Sequence, residues 1–220
     1  LTDTIDSAAV QAAVLRVADR VEGLRDLLNE LDAAMGDGDL GISASKAAPA
    51  IRDYVAANPP GDDIGKFLAG LGMAINRVAS STMGTLTATA LMRAGRETKG
   101  QAALDAEAVA RMLNAAYTGM QERGKAQPGD KTILDAMHPA TAAFAAAVAG
   151  GKDIGAAGDA MLEAARAGRD AAIPLQSKVG RASWVGDRTA GHPDPGTVLF
   201  VNVLEAILGA PQSAPGSTDT

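Results

Sequence analysis

Valines and leucines recur in steps of four and three near the start of the chain: Val10, Val14, Val17, Val21, Leu24, Leu28 and Leu31. That spacing lays one apolar stripe along a helix, the pattern of a segment packed against neighbouring helices. Ser7 is placed to cap its start, and Gly23 interrupts the run, so the stripe belongs either to one kinked helix or to two in succession. Further along, the pattern gives a second helix from near Ile42 to about Ala56, a third over Ile64 to about Ala79 and a fourth from about Leu86 to Gly95. A fifth covers Ala106 to about Arg123, with Val109, Leu113, Ala116 and Met120 on one face. A sixth starts at Thr132 with Asp130 as its cap, and Pro139 bends it unless that proline sits in the first turn. The seventh spans 153–170, and the eighth runs from about Thr197 to Leu208.

Composition strengthens this picture. Of 220 residues, 47% are hydrophobic but only 3% aromatic, and small side chains such as alanine pack helices closely. The expected fold class is therefore all-α, with eight helices in an antiparallel up-and-down bundle or barrel. Residues 1–209 form one domain, and 210–220, rich in proline, glycine and serine, read as a disordered tail. The net charge of −6 and the absence of a basic cluster argue against a nucleic-acid partner. With no cysteine, disulfides and thiolate metal sites are excluded. No apolar run approaches the roughly 18 residues of a membrane span, and the acidic start does not resemble a signal peptide, so a cytoplasmic protein away from membranes is expected.

Four polar, glycine-containing segments break the helical pattern: 32–43, 80–85, 124–132 and 180–196. Each follows an odd-numbered helix. Because consecutive helices exchange ends, all four belong at one rim. The first holds Asp32, Asp37 and Asp39 with no basic residue among them. Asp37 and Asp39 project to the same side if the stretch is extended, and Asp32 faces the unfavourable negative end of its helix dipole. Either this is a solvated acidic loop, or a hard cation relieves the repulsion; oxygen ligands alone suit Mg2+ or Ca2+. An EF-hand loop fails, because counting from Asp37 puts Gly41 at its fifth position and Ala48 at its twelfth.

The remaining segments suit anions, or serve as ordinary caps and turns. "SSTMGT" precedes a helix, whose first amides can receive phosphate oxygens. "GKAQPGDKT" brings Gly124, Gly129 and Lys131 close to a helix start but lacks the P-loop spacing. Arg181, Arg188 and Asp194 sit in an aperiodic stretch too long to be an idle connection in a compact domain. His138 and His192 have no serine–acid pair around them to suggest a hydrolase triad.

"LDAAMGDGDLG", "GKAQPGDKTILDAMHPA" and "GRASWVGDRTAGHPDPG", in that order, resemble the nucleotide-binding L subunit of dihydroxyacetone kinases over about Leu28 to Leu208. The resemblance implies an eight-helix antiparallel barrel with ADP or ATP at one rim. It implies Mg2+ held by Asp32, Asp37 and Asp39, with Gly41, Ile42, Ser43, Thr82, Met83 and Gly84 near the phosphates. Gly124, Ile133, Arg181 and the turn Asp194, Pro195, Gly196 would surround the base and ribose. Two departures stand out: Leu40 replaces the family's usual histidine, and "SSTMG" replaces its more glycine-rich loop. The resemblance further implies a separate K-type subunit that binds the ketose and supplies the base, and in one version of the family a phosphotransferase-system phosphoprotein that recharges bound ADP. A different class of function, a nucleotide-sensing regulatory module, would use the same site.

Overall fold

The computed structural model describes residues 4–59 and 61–214, apart from the side chains of Arg181 and Val185. Six of its helices begin where a short polar side chain takes an orphan amide. Asp6 accepts from Ala9, Asp63 from Lys66, Asp105 from Ala108, Asp153 from Ala156 and Asp194 from Thr197, all at 2.7–2.8 Å. Ser81 accepts from Gly84 at 3.3 Å. The resulting helices are α1 (Ser7–Gly23), α2 (Arg25–Met35), α3 (Leu40–Ser45), α4 (Ala47–Ala57), α5 (Ile64–Val78) and α6 (Thr82–Glu97). They continue with α7 (Ala106–Gly124), α8 (Leu134–Ala149), α9 (Ile154–Ala171) and α10 (Pro195–Leu208). A single antiparallel bridge, β1 (Ile5–Asp6) with β2 (Ala103–Leu104), is the only extended pairing among the described residues. The fold is all-α.

Several expected boundaries move. The cap of α1 is Asp6, and Ser7 is already helical. The first stripe divides into α1 and α2, and the second expected helix into α3 and α4; the joints Leu24 and Lys46 keep right-handed helical backbone angles. α6 starts four residues before Leu86 because Ser81 caps it. α8 starts at Leu134, not Thr132, and Asp130 does not cap it: Asp135 in its first turn folds back to accept from the amides of Thr132 and Gly129. Pro139 lies inside α8, past its first turn. The aperiodic stretch 180–196 contains a 3-10 segment, Arg181–Thr189, broken at Gly186, and α10 begins at Pro195.

Taking α1 with α2 and α3 with α4, the helices form a ring in chain order. α4 packs on α1 and on α5, each helix from α5 to α9 packs on its successor, and α10 returns to α1. Small residues let the axes approach. In α5 and α6, Gly65 lies against Gly95 and Gly72 against Ala88, so the two helices run antiparallel. Across the closure, Arg16 donates to the carbonyls of Ala206 and Ile207 and Arg20 to Asn202, again antiparallel. The largest buried cluster joins Leu68, Phe144, Met161, Leu162, Val201 and Leu204. A smaller one, built on Val21, Leu24, Leu28, Val198 and Leu199, seals the seam between the chain's two ends.

Past α10 the chain stays attached as far as Ser213, whose amide and hydroxyl donate to Glu205. Residues 215–220 of the expected tail lie outside the described residues.

The Gly65–Gly95 contact gives a direct test. A β-carbon on Gly95 would collide with the Gly65 carbonyl oxygen and lie 2.9 Å from the Ala69 amide nitrogen. Gly95→Ala is expected to lower unfolding free energy by about 2 kcal/mol in urea titrations, the usual cost of overpacking. Gly23→Ala, where an added β-carbon meets nothing within 4 Å, is expected to be neutral or slightly stabilising.

Candidate functional site

The end of α2 and the start of α3 are built around one carboxylate. Asp32, in the last turn of α2, accepts through Oδ2 from the amides of Asp39 (2.9 Å) and Leu40 (3.2 Å). Asn29, one turn earlier, accepts from the amide of Ile42 at 3.1 Å. Two side chains of α2 thus satisfy the first amides of α3, and the positive end of α3 offsets the unfavourable dipole of α2 at Asp32. The turn between them is tight rather than extended: Gly38 has φ 75° and Asp39 has helical angles. A β-carbon on Gly36 would lie 2.9 Å from Asp32 Oδ1, so glycine there leaves that oxygen open to a ligand.

In this geometry Asp32, Asp37 and Asp39 each offer one carboxylate oxygen, all within 4.8 Å of one another. Oxygens sharing one Mg2+ at about 2.1 Å lie about 3–4 Å apart, so the set fits a hard cation after small side-chain adjustment. Asp37 and Asp39 are exposed and Asp32 is half-buried, leaving one side open.

Around this turn the other expected segments gather. Gly41 lies so close to α2 that a β-carbon would overlap the Arg25 carbonyl oxygen. Ile42 is 39% exposed and Ser43 half-buried on α3. Thr82 and Met83 open α6, where the first amides have no partner within the helix. Gly84 turns back on Ala79, with no room for a side chain. Met83 packs against both the Leu28–Val198 cluster and a second cluster containing Ile133, Leu134 and Met137. It therefore sits between the acidic turn and the start of α8. A cleft of about 280 Å³ separates Ala33–Gly36 from Arg188 and His192, so the segment before α10 also borders the acidic turn.

At the far side of the rim, Gly124 ends α7 beside Leu86, and Ile133 is buried against Gly196, whose β-carbon would lie 3.2 Å from the Ile133 nitrogen. Pro195 and Gly196 are buried in the first turn of α10. Asp194 points inward: its Oδ2 accepts from Thr197, and burial pushes its pKa up to about 7, partly opposed by the Thr197 amide and Lys131. Arg181 opens the 3-10 segment, but its side chain lies outside the described residues. Lys131 is buried, its ammonium committed to backbone carbonyls, so it is not an anion ligand. His138 is exposed with its ring 5.4 Å from that of Tyr117, and its carbonyl accepts from the Thr141 hydroxyl.

The sequence profile of the DAK2 domain matches residues 34–209. The chain belongs to the DAK2 domain family. This DAK2 domain is 33% identical over 198 residues to triokinase/FMN cyclase of Homo sapiens, covering 90% of this chain and 34% of that protein. It is 30% identical to the ADP-binding subunit DhaL of PEP-dependent dihydroxyacetone kinase 2 of Listeria innocua, covering 93% of this chain and 94% of that subunit. The crystal structure of the dihydroxyacetone kinase from C. freundii in complex with AMP-PNP and Mg2+ matches with a TM-score of 0.67 at 25% identity, over 95% of this chain and 35% of that one. The DAK2 domain thus spans about a third of the triokinase and of the C. freundii kinase, and nearly all of the DhaL subunit.

Sequence reading missed Asn29 and Asp135 as supports of the rim. Asn29 carries a signal in its spacing: it precedes Asp32 by three residues and shares its helix face. The DAK2 rim also has a pH signature. Because Asp194 has its folded pKa raised above the unfolded value near 3.8, its contribution is fully present below that value and is lost as pH rises through about 7. Asn at this position keeps a cap oxygen without the buried charge. Asp194→Asn is therefore expected to gain stability relative to the parent as pH rises from 4 to 8, by at most about 4 kcal/mol at 1.36 kcal/mol per pKa unit. Urea unfolding at both pH values measures it, and an equal difference at the two would refute the assignment.

Proposed function

We propose that this DAK2 domain binds ADP or ATP with Mg2+ at the described rim of an eight-helix antiparallel barrel. It then serves as the phosphoryl-transfer component of a dihydroxyacetone or related short-ketose kinase. The observation that carries this reading is the convergence of three carboxylate oxygens, with no histidine or cysteine among them, beside the open first turn of α6. The Listeria relative, an ADP-binding subunit, and the C. freundii structure, a complex with AMP-PNP and Mg2+, support the same chemistry.

On this reading Asp32, Asp37 and Asp39 hold the cation, which when bound neutralises charge on phosphate oxygens. The amides and hydroxyl at Thr82 and Met83 orient the phosphates. At α3 the amides of Leu40, Ile42 and Ser43 already donate to Asp32, Asn29 and the Asp39 carbonyl, so that helix contributes shape and the Ser43 hydroxyl. Gly124, Ile133, Arg181 and Asp194–Gly196 form the base and ribose end. Phosphoryl transfer asks mainly for position and charge neutralisation, which these groups supply. The acceptor and its base belong to a separate K-type subunit. The donor is either exchangeable ATP or resident ADP recharged by a phosphotransferase-system phosphoprotein, the version that the words "PEP-dependent" in the relative's name favour.

Calorimetry with ADP and Mg2+ tests the site. Asp37→Ala, in an exposed turn, is expected to weaken Mg2+-dependent nucleotide binding by at least about 100-fold while the metal-free protein keeps its helical circular-dichroism spectrum. Undiminished binding by that variant would remove the cation from the reading. Mixing the full chain with a K-type subunit, Mg2+, ATP and dihydroxyacetone tests turnover. Tight nucleotide binding without product from any short ketose would reassign the domain to nucleotide sensing.

A further inference from the structure

Lys131 is only 2% exposed, and its ammonium donates to the carbonyls of Ile173 (2.8 Å), Leu175 (2.9 Å) and Thr189 (2.5 Å). Those three bonds use every proton the ammonium has. Its backbone is left-handed at φ 58°, a region that residues with a β-carbon enter only against steric resistance. Burial also pushes its pKa down, against the pull of Asp194. An uncomfortable backbone and a desolvated charge persist together only where the surroundings over-determine them.

The identity of the three carbonyls shows what is being held. Ile173 and Leu175 lie just after α9, whereas Thr189 ends the 3-10 segment, so one side chain staples both ends of the 172–190 connector to the loop before α8. Further bonds close the same loop. The Gly191 amide donates to Ile173, the Ser177 amide to the Thr189 hydroxyl at 2.9 Å, and the Lys178 amide to Asp130. The stapled connector carries Arg181, the 84% exposed Trp184 and Arg188, then leads into Asp194 and the Gly196–Ile133 contact.

We propose that Lys131 is a positioning residue for the rim: its ammonium fixes the connector, and through it the base-and-ribose end of the nucleotide site, without touching the nucleotide. The clasp stands on geometry alone, while its consequence for nucleotide affinity rests on the reading given under Proposed function. Removing the ammonium leaves the three aspartates themselves unchanged and loosens the connector, including the stretch with Arg188 and His192 that faces the end of α2.

Hydrogen exchange on the full-length chain tests the clasp directly. In the unmodified protein the amides of Ser177, Lys178 and Gly191 are expected to exchange at least about 1,000-fold more slowly than unstructured amides. In Lys131→Met that protection is lost at those three positions while α5 and α6 keep theirs. Trp184, the only tryptophan, reports the same loosening as a fall in fluorescence anisotropy. The nucleotide consequence is a fall in ADP affinity, with Mg2+ present, of at least about 10-fold (1.4 kcal/mol). General destabilisation would not move affinity while the helices retain their protection. Thr189→Val, which removes the Ser177 contact and leaves the lysine, provides a milder variant with the same expected direction should Lys131→Met not fold. Free exchange of the three amides in the unmodified protein overturns the clasp. Unchanged ADP affinity in a loosened variant overturns the positioning role. Failure of the unmodified protein to bind ADP would instead overturn the nucleotide reading, with the exchange data still deciding the clasp.

Discussion

Everything at the rim depends on the first helix meeting the last, and that meeting is organised around a buried carboxylate. Glu205, fully buried on α10, is paired with Arg20 of α1 at 3.2 Å and with Arg166 of α9 at 2.9 Å. Stranding one of these charges without its partners would cost several kcal/mol, whereas the intact group gains little over apolar packing. Its effect is therefore selective: α10 settles only where both arginines reach it, between α1 and α9. Apolar side chains finish the closure, Val21, Leu24 and Leu28 against Val198 and Leu199. Were α1 and α10 apart, the acidic turn and the Asp194–Gly196 turn would lie at opposite edges of an open array.

Closure also explains why a carboxylate stands at the unfavourable end of α2. The helix that follows begins immediately beside it, and its first amides turn toward Asp32. The same oxygen pattern that satisfies α3 holds the carboxylate in place, with Oδ2 engaged by amides and Oδ1 left room by glycine at 36. On the proposed reading, local folding and ligand chemistry use opposite sides of one side chain. Asn29 extends the arrangement by one turn, so the position of α3 is set by α2 before any ligand arrives.

Much of this was legible in the sequence because it rests on periodicity. Apolar spacing located the helices, and alternation of their ends brought four distant segments to one rim; Met83, the Arg188 cleft and the Ile133–Gly196 contact join those segments in space. What was not legible depended on choices between chemically similar neighbours or on contacts far along the chain. Asp6 and Ser7 are both good caps, and backbone geometry alone selects Asp6. Ser81 begins α6 earlier than the apolar stripe does. Lys131 reads as an anion ligand in "GKAQPGDK", since nothing local says that carbonyls 42 to 58 residues away will surround its ammonium. Asp130 and Asp135 both flank the start of α8, and Asp135 takes the loop amides of Gly129 and Thr132 while the Leu134 amide goes to the Thr132 hydroxyl.

The two departures from the kinase resemblance, Leu40 and Met83, prove to share a physical consequence. Leu40 packs with Leu28 and Val198 at the seam, and Met83 joins that cluster to the one beneath Ile133. Polar side chains at either place would have had to reach a ligand or remain half-buried without a partner. Apolar ones instead continue the core up to the floor of the rim, where α2, α3, α6 and α10 meet. Such a floor holds the acidic turn and the α6 start at a fixed separation, but it offers a phosphate nothing to bond. On the proposed reading, anion recognition then falls to a cation on the three aspartates and to the first amides of α6. The connector clasped by Lys131 touches both halves of the rim: it leads into the Asp194–Gly196 turn and, through Arg188 and His192, faces the end of α2.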